Sequence, residues 1–295
     1  MAPPAQRQNA LDRVGALGQI RPNRTGEIGM ATVAAAEERN VSIGRVFGRA
    51  FGTIGGNPVA TLGIAFLFGA LPSLLVGYLI QARTVDFVTI LGPLGTIAAA
   101  LVTAVVGIAL AMITQGALVR ATVAHSEGRR SSFGESAAAG LVVVLPLFGM
   151  AILSGLGILA GFLLLIVPGV ILYVMWSVAA PALVEERLGP VAALGRSREL
   201  TRGARWKVFG LLLVVTVISW IFSAIIGLVS VMWYGGPADF ASAAAAGLPL
   251  AYYAINAVFQ TLSLAIWGVI QTSLYVELRD WKDGPATAKL ADIFG

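Results

Sequence analysis

The sequence contains no cysteine and a single histidine, His125, and charged residues make up only 12% of its 295 positions. Without cysteine, the chain can form neither disulfides nor thiolate metal sites, and it has no cysteine nucleophile. One histidine is too few for a histidine-based metal site and argues against a hydrolase of the Ser-His-Asp type. The scarcity of charge also argues against a soluble domain, whose surface needs far more charged side chains.

Apolar residues are what the sequence contains instead: 57% of the chain is hydrophobic, and the mean hydropathy is +0.85. A helix needs about 20 apolar residues to cross the hydrocarbon core of a bilayer. Six stretches without Asp, Glu, Lys or Arg reach or approach that length: 59–80, 95–119, 140–166, 168–184, 208–233 and 251–276. The third and fourth form one run, which we divide at Pro168 and Gly169 because proline ends a helix and glycine permits a turn. We expect Pro181 to distort the last turn of the fourth.

These runs predict an all-α fold, a polytopic membrane bundle of about six transmembrane helices with interfacial amphipathic helices. If the N-terminus lies inside, 19 of the 20 Lys and Arg residues fall on the inner side, and only Arg83 falls outside. Cytoplasmic loops carry the excess of basic residues, so both termini are predicted to be cytoplasmic. Arginine outnumbers lysine 17 to 3, which is typical of a GC-rich bacterial genome, so we expect the bacterial cytoplasmic (inner) membrane.

The chain divides into three parts: a disordered cytoplasmic tail over 1–40, a six-helix membrane domain over 41–282 and a cytoplasmic C-terminal tail over 283–295. The first part has no apolar run long enough for a signal peptide, and its Pro, Gln, Arg and Glu content favours disorder. Met30 opens a segment that leads directly into the first amphipathic stretch, so we regard it as an alternative start.

A weak internal repeat places a short segment before each pair of predicted spans, at 41–54, 131–138 and 189–206. In the first segment, Ile43, Val46 and Phe47 begin an apolar helical face, while Arg45 and Arg49 lie on the opposite face. This pattern is typical of a helix lying in the membrane interface with its arginines among the lipid phosphates. The third segment starts with Pro190, which suits the first turn of a helix.

Basic side chains are densest in the loop before the fifth span. The cluster comprises Arg196, Arg198, Arg202, Arg205 and Lys207. Guanidinium groups bind phosphate oxygens bidentately, so the cluster is a candidate site for anionic phospholipid head groups. The alternative is that these charges only anchor the loop on the cytoplasmic side. Glu185 and Glu186, just before the cluster, are expected to pair with nearby arginines.

Polar side chains form a stripe along the sixth predicted helix. Its members are Asn256, Gln260, Ser263, Trp267 and Gln271. Polar groups in hydrocarbon need partners, so the stripe should face the bundle interior or a wet cavity. It either lines a pathway, with Trp220 nearby, or forms hydrogen bonds between helices.

Two smaller features concern packing and pH. Gly157 and Gly161 predict a close-packing surface, either within the bundle or between subunits. His125 follows the second span, and we expect an interfacial polar residue there rather than a pH switch.

The predicted spans lack the residue types on which catalysis and energised transport depend. No ionisable residue lies inside a predicted span, which argues against proton relays and ion-coupled transport, and no nucleotide-binding motif is present. We therefore predict no catalytic residue, no metal site and no cofactor. The basic total points to lipid head groups rather than nucleic acid as a partner.

Several short motifs match a known bacterial membrane family. They are Pro168 to Trp176 (PGVILYVMW), Pro181 to Glu185 (PALVE), Gly189-Pro190, Ala193-Leu194, Arg196-Ser197, Leu200 to Gly203 (LTRG), Arg205-Trp206, Phe209-Gly210, and Tyr275 with Glu277 to Arg279. The chain resembles the membrane-domain family of glycerophosphoryl diester phosphodiesterases. In some relatives this six-helix module is fused to a soluble catalytic barrel that uses histidine, acidic residues and a metal. We find no such barrel here, so the resemblance implies a module without the enzymatic activity. Met175 stands where we expect a basic residue, so a head-group role of that position in relatives is not carried over to this chain.

The sequence therefore favours a non-enzymatic integral membrane protein that organises lipid or a partner protein at the cytoplasmic interface. Membrane lipids, an anionic phospholipid in particular, are the expected partners, together with a partner protein or a second copy of the chain. The alternative is a passive transporter or channel for a small polar or amphipathic solute, lined by helix six.

Overall fold

The computed structural model describes residues 41–129 and 131–284, and every regular element in those two ranges is a helix. The predicted disordered tail over 1–40 lies outside the described residues, and so does the predicted C-terminal tail apart from residues 283 and 284. In chain order the elements are α1 Ile43–Gly56, α2 Pro58–Ile64, a π-helical segment Ala65–Ala70, α3 Leu71–Ser126, α4 Phe133–Val142, α5 Val144–Leu164, α6 Ile166–Met175, α7 Ala179–Glu186, α8 Pro190–Thr201, α9 Arg205–Trp233, α10 Pro237–Ala246 and α11 Leu250–Asp283.

Within the described ranges, six helical stretches are long and apolar enough to cross a membrane. We number these candidate spans one to six: Pro58–Tyr78, Ala100–Ser126, Val144–Leu164, Ile166–Glu186, Arg205–Trp233 and Leu250–Asp283. Their number and order confirm the six apolar helices predicted from the sequence. Spans one and two share α3, which is interrupted at Gly92, where the backbone is not helical (φ 58°, ψ −153°).

The boundary between spans three and four lies earlier than predicted. Helices α5 and α6 meet at Leu165, whose backbone is extended (φ −166°, ψ 153°). Pro168 therefore falls in the first turn of α6, where its missing N–H would have no helical partner. The two helices approach closely at Gly161 and Gly169, where there is no room for a side chain. A Cβ on Gly161 would lie only 2.9 Å from the Cα of Gly169.

Span four is interrupted near its middle. Helices α6 and α7 are separated by the turn 176–178, which we call the break. Pro181 lies in the first turn of α7, so the expectation that it distorts the last turn is wrong. The physical reason is the same as for Pro168: a first-turn residue needs no N–H for the helix.

Short helices precede spans one, three and five, as the repeat predicted: they are α1, α4 and α8. Helix α4 begins with a capping box, in which Ser132 and Glu135 each accept a hydrogen bond from the other's backbone N–H. The hydrogen bond that the backbone N–H of Ser132 donates lowers the pKa of the exposed Glu135 carboxyl. Pro190 is the first residue of α8, which confirms its predicted place. Helix α10, between spans five and six, was not predicted.

Helix α11 occupies the centre of the bundle. It packs against α1, α3 and the π-helical segment, and also contacts α7 and α8. Its second half supplies much of the core, including the fully buried Leu274, Tyr275 and Leu278. In contrast, α9 is largely exposed and contacts α11 through Phe222, whose ring stacks on Phe259 at 5.2 Å between centroids. The end of α11 is therefore where the short helices α1 and α8 meet the spans.

Candidate functional sites

Carboxylates near the end of α11 hold the basic helix α1 in place. Glu277, whose side chain is 3% exposed, accepts from the backbone N–H of Ser42 at 3.0 Å and pairs with Arg45 at 2.7 Å. Asp280 pairs with Arg49 at 3.4 Å. Arg45 and Arg49, which the sequence analysis placed among lipid phosphates, thus both bind carboxylates of α11, because α11 packs against that side of α1.

Arg196 joins α8 to two other helices at the same end. Its Nε donates to both carboxylate oxygens of Glu186 at 2.9 Å, and its Nη2 contacts Asp283. The hydroxyl of Tyr275 also donates to Glu186, at 3.0 Å. Although burial opposes the charge, the two carboxylates raise the pKa of Arg196. We call this end of the bundle the basic end. The ion pairs that hold α1 and α8 there form what we call the carboxylate clasp, which comprises Arg45, Arg49, Glu186, Arg196, Glu277, Asp280 and Asp283.

The other predicted head-group residues differ from Arg196. Arg198, Arg202 and Lys207 are exposed, whereas Arg205 is half-buried. The Nε of Arg205 is buried and has no hydrogen-bond partner among the described residues. None of these four side chains lines either of the two grooves described below, and head-group binding by them stays a prediction.

A groove at the basic end was not foreseen from the sequence. We call it the rim groove; it encloses about 690 Å³. Arg120 and Arg187 lie on it, and Arg120 Nη1 is 3.8 Å from Glu185 Oε1. This pair, with the bond between Glu186 and Arg196, confirms that both glutamates face arginines. The remaining lining is apolar: Ala138, Ala139, Val142, Val143, Pro146, Leu183, Val184 and Leu188.

The backbone of Arg187 is left-handed. At φ 50° and ψ 42°, it is the one non-glycine residue with positive φ in the described part of the chain. This conformation is disfavoured by about 1 kcal/mol for an L-residue, and glycine usually occupies such a position at a helix end. Arg187 is exposed and forms no ion pair with any described residue. No sequence signal indicated this, because the strain exists only in the folded backbone.

Glycines allow α4 to form one wall of the rim groove. A Cβ on Gly140 would overlap the carbonyl oxygen of Ile113 in α3, and one on Gly116 would lie 2.9 Å from the Cα of Gly140. Helices α3 and α4 therefore cross in backbone contact. This crossing was also missed, because a single glycine in an apolar run carries no partner information.

A second concave surface lies deeper, between spans one, two and six. We call it the central groove, and it encloses about 760 Å³. Gln115 donates from Nε2 to Oε1 of Gln271 at 2.6 Å, and Gln271 donates from Nε2 to the carbonyl oxygen of Ser177 at 2.6 Å. The polar residues that line this groove are Ser73, Thr103, Thr114, Gln115, Gln260, Trp267 and Gln271.

Irregular backbone borders the central groove on two sides. At the break, Ser197 accepts from the N–H of Val178 at 3.3 Å and donates to the carbonyl of Met175 at 2.8 Å. Together with Gln271, it satisfies backbone groups that an unbroken helix would pair internally. On the other side, the π-helical segment contributes Phe68 and Gly69 to the lining. Such irregularities in helices occur frequently at functional sites.

The predicted polar stripe divides in three. Gln260, Trp267 and Gln271 line the central groove, whereas Asn256 lines a separate cavity of about 250 Å³ near the other end of α11. Ser263 is exposed. Trp220, expected near the stripe, is 72% exposed and does not line the groove. The spacing placed these residues on one broad face, but neighbouring helices cover only part of that face.

The smaller predicted features are packing contacts. A Cβ on Gly157 would lie 2.6 Å from the Trp176 ring, so with the contact of Gly161 on Gly169 the predicted close-packing surface is confirmed within the chain. His125 packs against α1, where a Cβ on Gly56 would lie 2.6 Å from its ring. Within the described residues, no three His, Asp or Glu side chains are grouped to hold a metal ion.

Comparison with protein families matches residues 41–278 to a domain of unknown function, DUF7847. The chain belongs to the DUF7847 family. No curated protein and no solved structure matches the chain. The DUF7847 match contains the residues that line the rim groove and the central groove, and all of the carboxylate clasp except Asp280 and Asp283. It does not link the chain to the phosphodiesterase membrane-domain family, so that resemblance stays a prediction.

Proposed function

We propose that this DUF7847 protein is a non-enzymatic module of the bacterial cytoplasmic membrane that binds an anionic phospholipid at its basic end. In this proposal the basic end faces the cytoplasm, in accordance with the one-sided distribution of Lys and Arg. Support for a bilayer location comes from the six helices of spanning length. Trp206 and Trp233 are both 86% exposed at opposite ends of α9, where aromatic side chains favour the two membrane interfaces.

The rim groove is the observation that carries this proposal. Its two guanidinium groups suit a lipid phosphate, and its apolar walls suit the beginning of an acyl chain. Arg187 is exposed and unpaired within the described chain, yet it occupies a position where glycine would be less strained. Strained residues concentrate at ligand-binding sites. The clasp arginines are less suitable, because carboxylates bind them at 2.7 Å (Arg45), 3.4 Å (Arg49) and 2.9 Å (Arg196), whereas Arg120 is 3.8 Å from Glu185.

Native mass spectrometry of the full chain, titrated with phosphatidylglycerol, tests the proposal. Arg187→Gly and Arg120→Gln should each weaken retention of the lipid roughly tenfold, since each removes one charge-assisted contact with the phosphate. The same titration with phosphatidylcholine should show weaker binding and little difference between variants, because its head group has no net charge.

Arg129→Gln is the matched control. It removes one positive charge from the same end, but Arg129 is exposed, does not line the groove and pairs with Glu127 at 2.5 Å. Retention by the control should equal that of the unaltered protein. If Arg187→Gly binds as well as the control, or if only Arg198→Gln with Arg202→Gln reduces binding, the rim groove is not the site. Capture of a partner protein or a second copy in place of lipid would also contradict the proposal.

A passive transporter or channel is the second candidate, and the central groove favours it. Beyond Trp267 and Gln271 lies a smaller cavity of about 220 Å³ that these same two side chains also line. A pathway would therefore have to pass Trp267 and Gln271. Flux of small polar solutes across liposomes that equals flux across protein-free liposomes would count against this candidate.

A further inference from the structure

Hydrogen-bonding groups in the central groove lack partners. Gln260 donates from Nε2 to Ser73 Oγ at 3.2 Å, but its Oε1 accepts no hydrogen bond from a described residue. The same is true of Oε1 of Gln115, whose amide nitrogen is bound to Gln271. The indole N–H of Trp267 also has no acceptor in the described chain. All three side chains line the groove, so it presents two free acceptor oxygens, the indole N–H and the second N–H of each of the two amides.

The lining also carries no charge. None of the residues around the central groove is Asp, Glu, Lys, Arg or His. A charged head group would therefore lose its hydration without gaining a counter-charge, which is strongly unfavourable in an apolar setting. An uncharged head with two hydroxyls would satisfy these groups, because each hydroxyl donates one hydrogen bond and its oxygen also accepts from the amide and indole N–H groups.

Apolar walls extend from these polar groups toward the outside of the bundle. Val76, Val106 and Leu110 line the groove, and Val106 is 44% exposed on the outer surface of α3. A tail bound along this wall would leave the bundle between spans, on a surface where apolar side chains such as Leu101 and Val105 are also exposed. The volume of about 760 Å³ lies within the range of small-molecule sites.

We propose that the central groove binds an uncharged amphiphile with a dihydroxy head and an acyl tail, of which a monoacylglycerol is the simplest example. The two hydroxyls donate to the Oε1 atoms of Gln115 and Gln260, and a head-group oxygen accepts from Trp267. Gln271 positions Gln115 by accepting from its amide. This site is independent of the phospholipid site proposed for the rim groove, since it carries no charge and shares none of the arginines.

Photolabelling of the full chain in phosphatidylcholine proteoliposomes tests this site. The probe is a monoacylglycerol with a diazirine in its acyl chain, and labelled peptides are identified by mass spectrometry. Labels should fall in α3 and α11 and should be displaced by unlabelled monoacylglycerol. Trp267→Phe and Gln260→Leu should each reduce labelling about fivefold, since each removes one hydrogen bond with the head.

Ser263→Ala is the control, because Ser263 lies on the same helix but is exposed outside the groove; its labelling should be unchanged. Thermal unfolding of each variant tests whether the bundle is intact. Equal labelling of all variants, or labels confined to peptides outside α3 and α11, would overturn the proposal. Displacement by free glycerol as effectively as by monoacylglycerol would also overturn it, since the site would then recognise a soluble polyol.

Discussion

The side-chain amide of Gln271 donates to the carbonyl oxygen of Ser177 at 2.6 Å, across 94 residues of sequence. Ser177 lies at the break in span four, where its carbonyl has no helical partner. In an apolar environment an unsatisfied carbonyl is costly, so a broken helix needs a partner from elsewhere. Helix α11 supplies that partner, which makes the break a property of the assembled bundle rather than of span four alone.

Gln271→Leu should therefore destabilise the protein. The substitution preserves the size of the side chain but leaves the Ser177 carbonyl and the Gln115 amide without partners, and we expect a loss of about 2 kcal/mol in the free energy of unfolding. Thermal unfolding in detergent micelles measures it. Gln260→Leu is the matched control, since it lies on the same helix and bonds only Ser73. Equal unfolding temperatures for the two variants would show that Gln271 does not support the break.

Glu277→Gln should loosen α1. Glu277 is the buried member of the carboxylate clasp, and its charge faces Arg45 at 2.7 Å and Arg49 at 4.0 Å. Because Arg45 is partly exposed and water screens it, we expect a loss of about 2 kcal/mol rather than the larger value of a fully buried pair. Protease sensitivity of α1 and thermal unfolding both report the change. Glu199→Gln, whose side chain is 74% exposed, is the control, and α1 should be cleaved no faster in it than in the unaltered protein.

Arg196 and Arg198 should behave differently although they lie two positions apart. Arg196→Gln removes the partner of Glu186 and Asp283, and we expect it to lower the free energy of unfolding by about 2 kcal/mol. Arg198 is exposed and forms no ion pair with a described residue, so Arg198→Gln should change stability by less than about 0.5 kcal/mol. Thermal unfolding of both variants in the same detergent decides between them. Similar losses would contradict the structural role assigned to Arg196.

The different roles of Arg196 and Arg198 could not be predicted from the sequence. The density of arginine marked the cluster and gave Arg196 and Arg198 the same candidate role. The carboxylates that bind Arg196, however, come from α7 and α11, and no local pattern indicates which face those helices cover. The six apolar helices were predictable because the length of each depends only on its own residues.

The break was predictable only in part. Residues 176–178 contain neither proline nor glycine, but Pro181 has no N–H to donate to the carbonyl of Ser177, four residues earlier, so an unbroken helix cannot pass through this point. The turn is stabilised by Ser197 and Gln271, which are distant in the chain. Pro168 gave the wrong position for the boundary between spans three and four, and Pro181 was wrongly expected to distort a last turn, because first-turn prolines are compatible with a helix that starts just before them. The two grooves likewise depend on packing between helices.

Gly140→Ala should separate α4 from α3. The added Cβ would overlap the backbone of Ile113, which cannot move aside as a flexible side chain can, and we expect a loss of about 3 kcal/mol in the free energy of unfolding. Gly134→Ala adds the same methyl group to the same helix, where no atom lies within 4 Å. That control should be as stable as the unaltered protein or slightly more stable, because alanine favours the helix. Equal effects of the two substitutions in thermal unfolding would refute the close crossing.

Arg187→Gly separates binding from stability. Glycine adopts the left-handed backbone at this position without strain, so the variant should be as stable as the unaltered protein or more stable by up to about 1 kcal/mol. Phosphatidylglycerol retention should nevertheless fall, because the guanidinium group is gone. A variant that unfolds more readily would show that Arg187 is held by contacts within the protein. A stable variant with weakened lipid binding would instead show that the strained backbone at the end of α7 is maintained for a ligand, since the fold itself gains nothing from an arginine there.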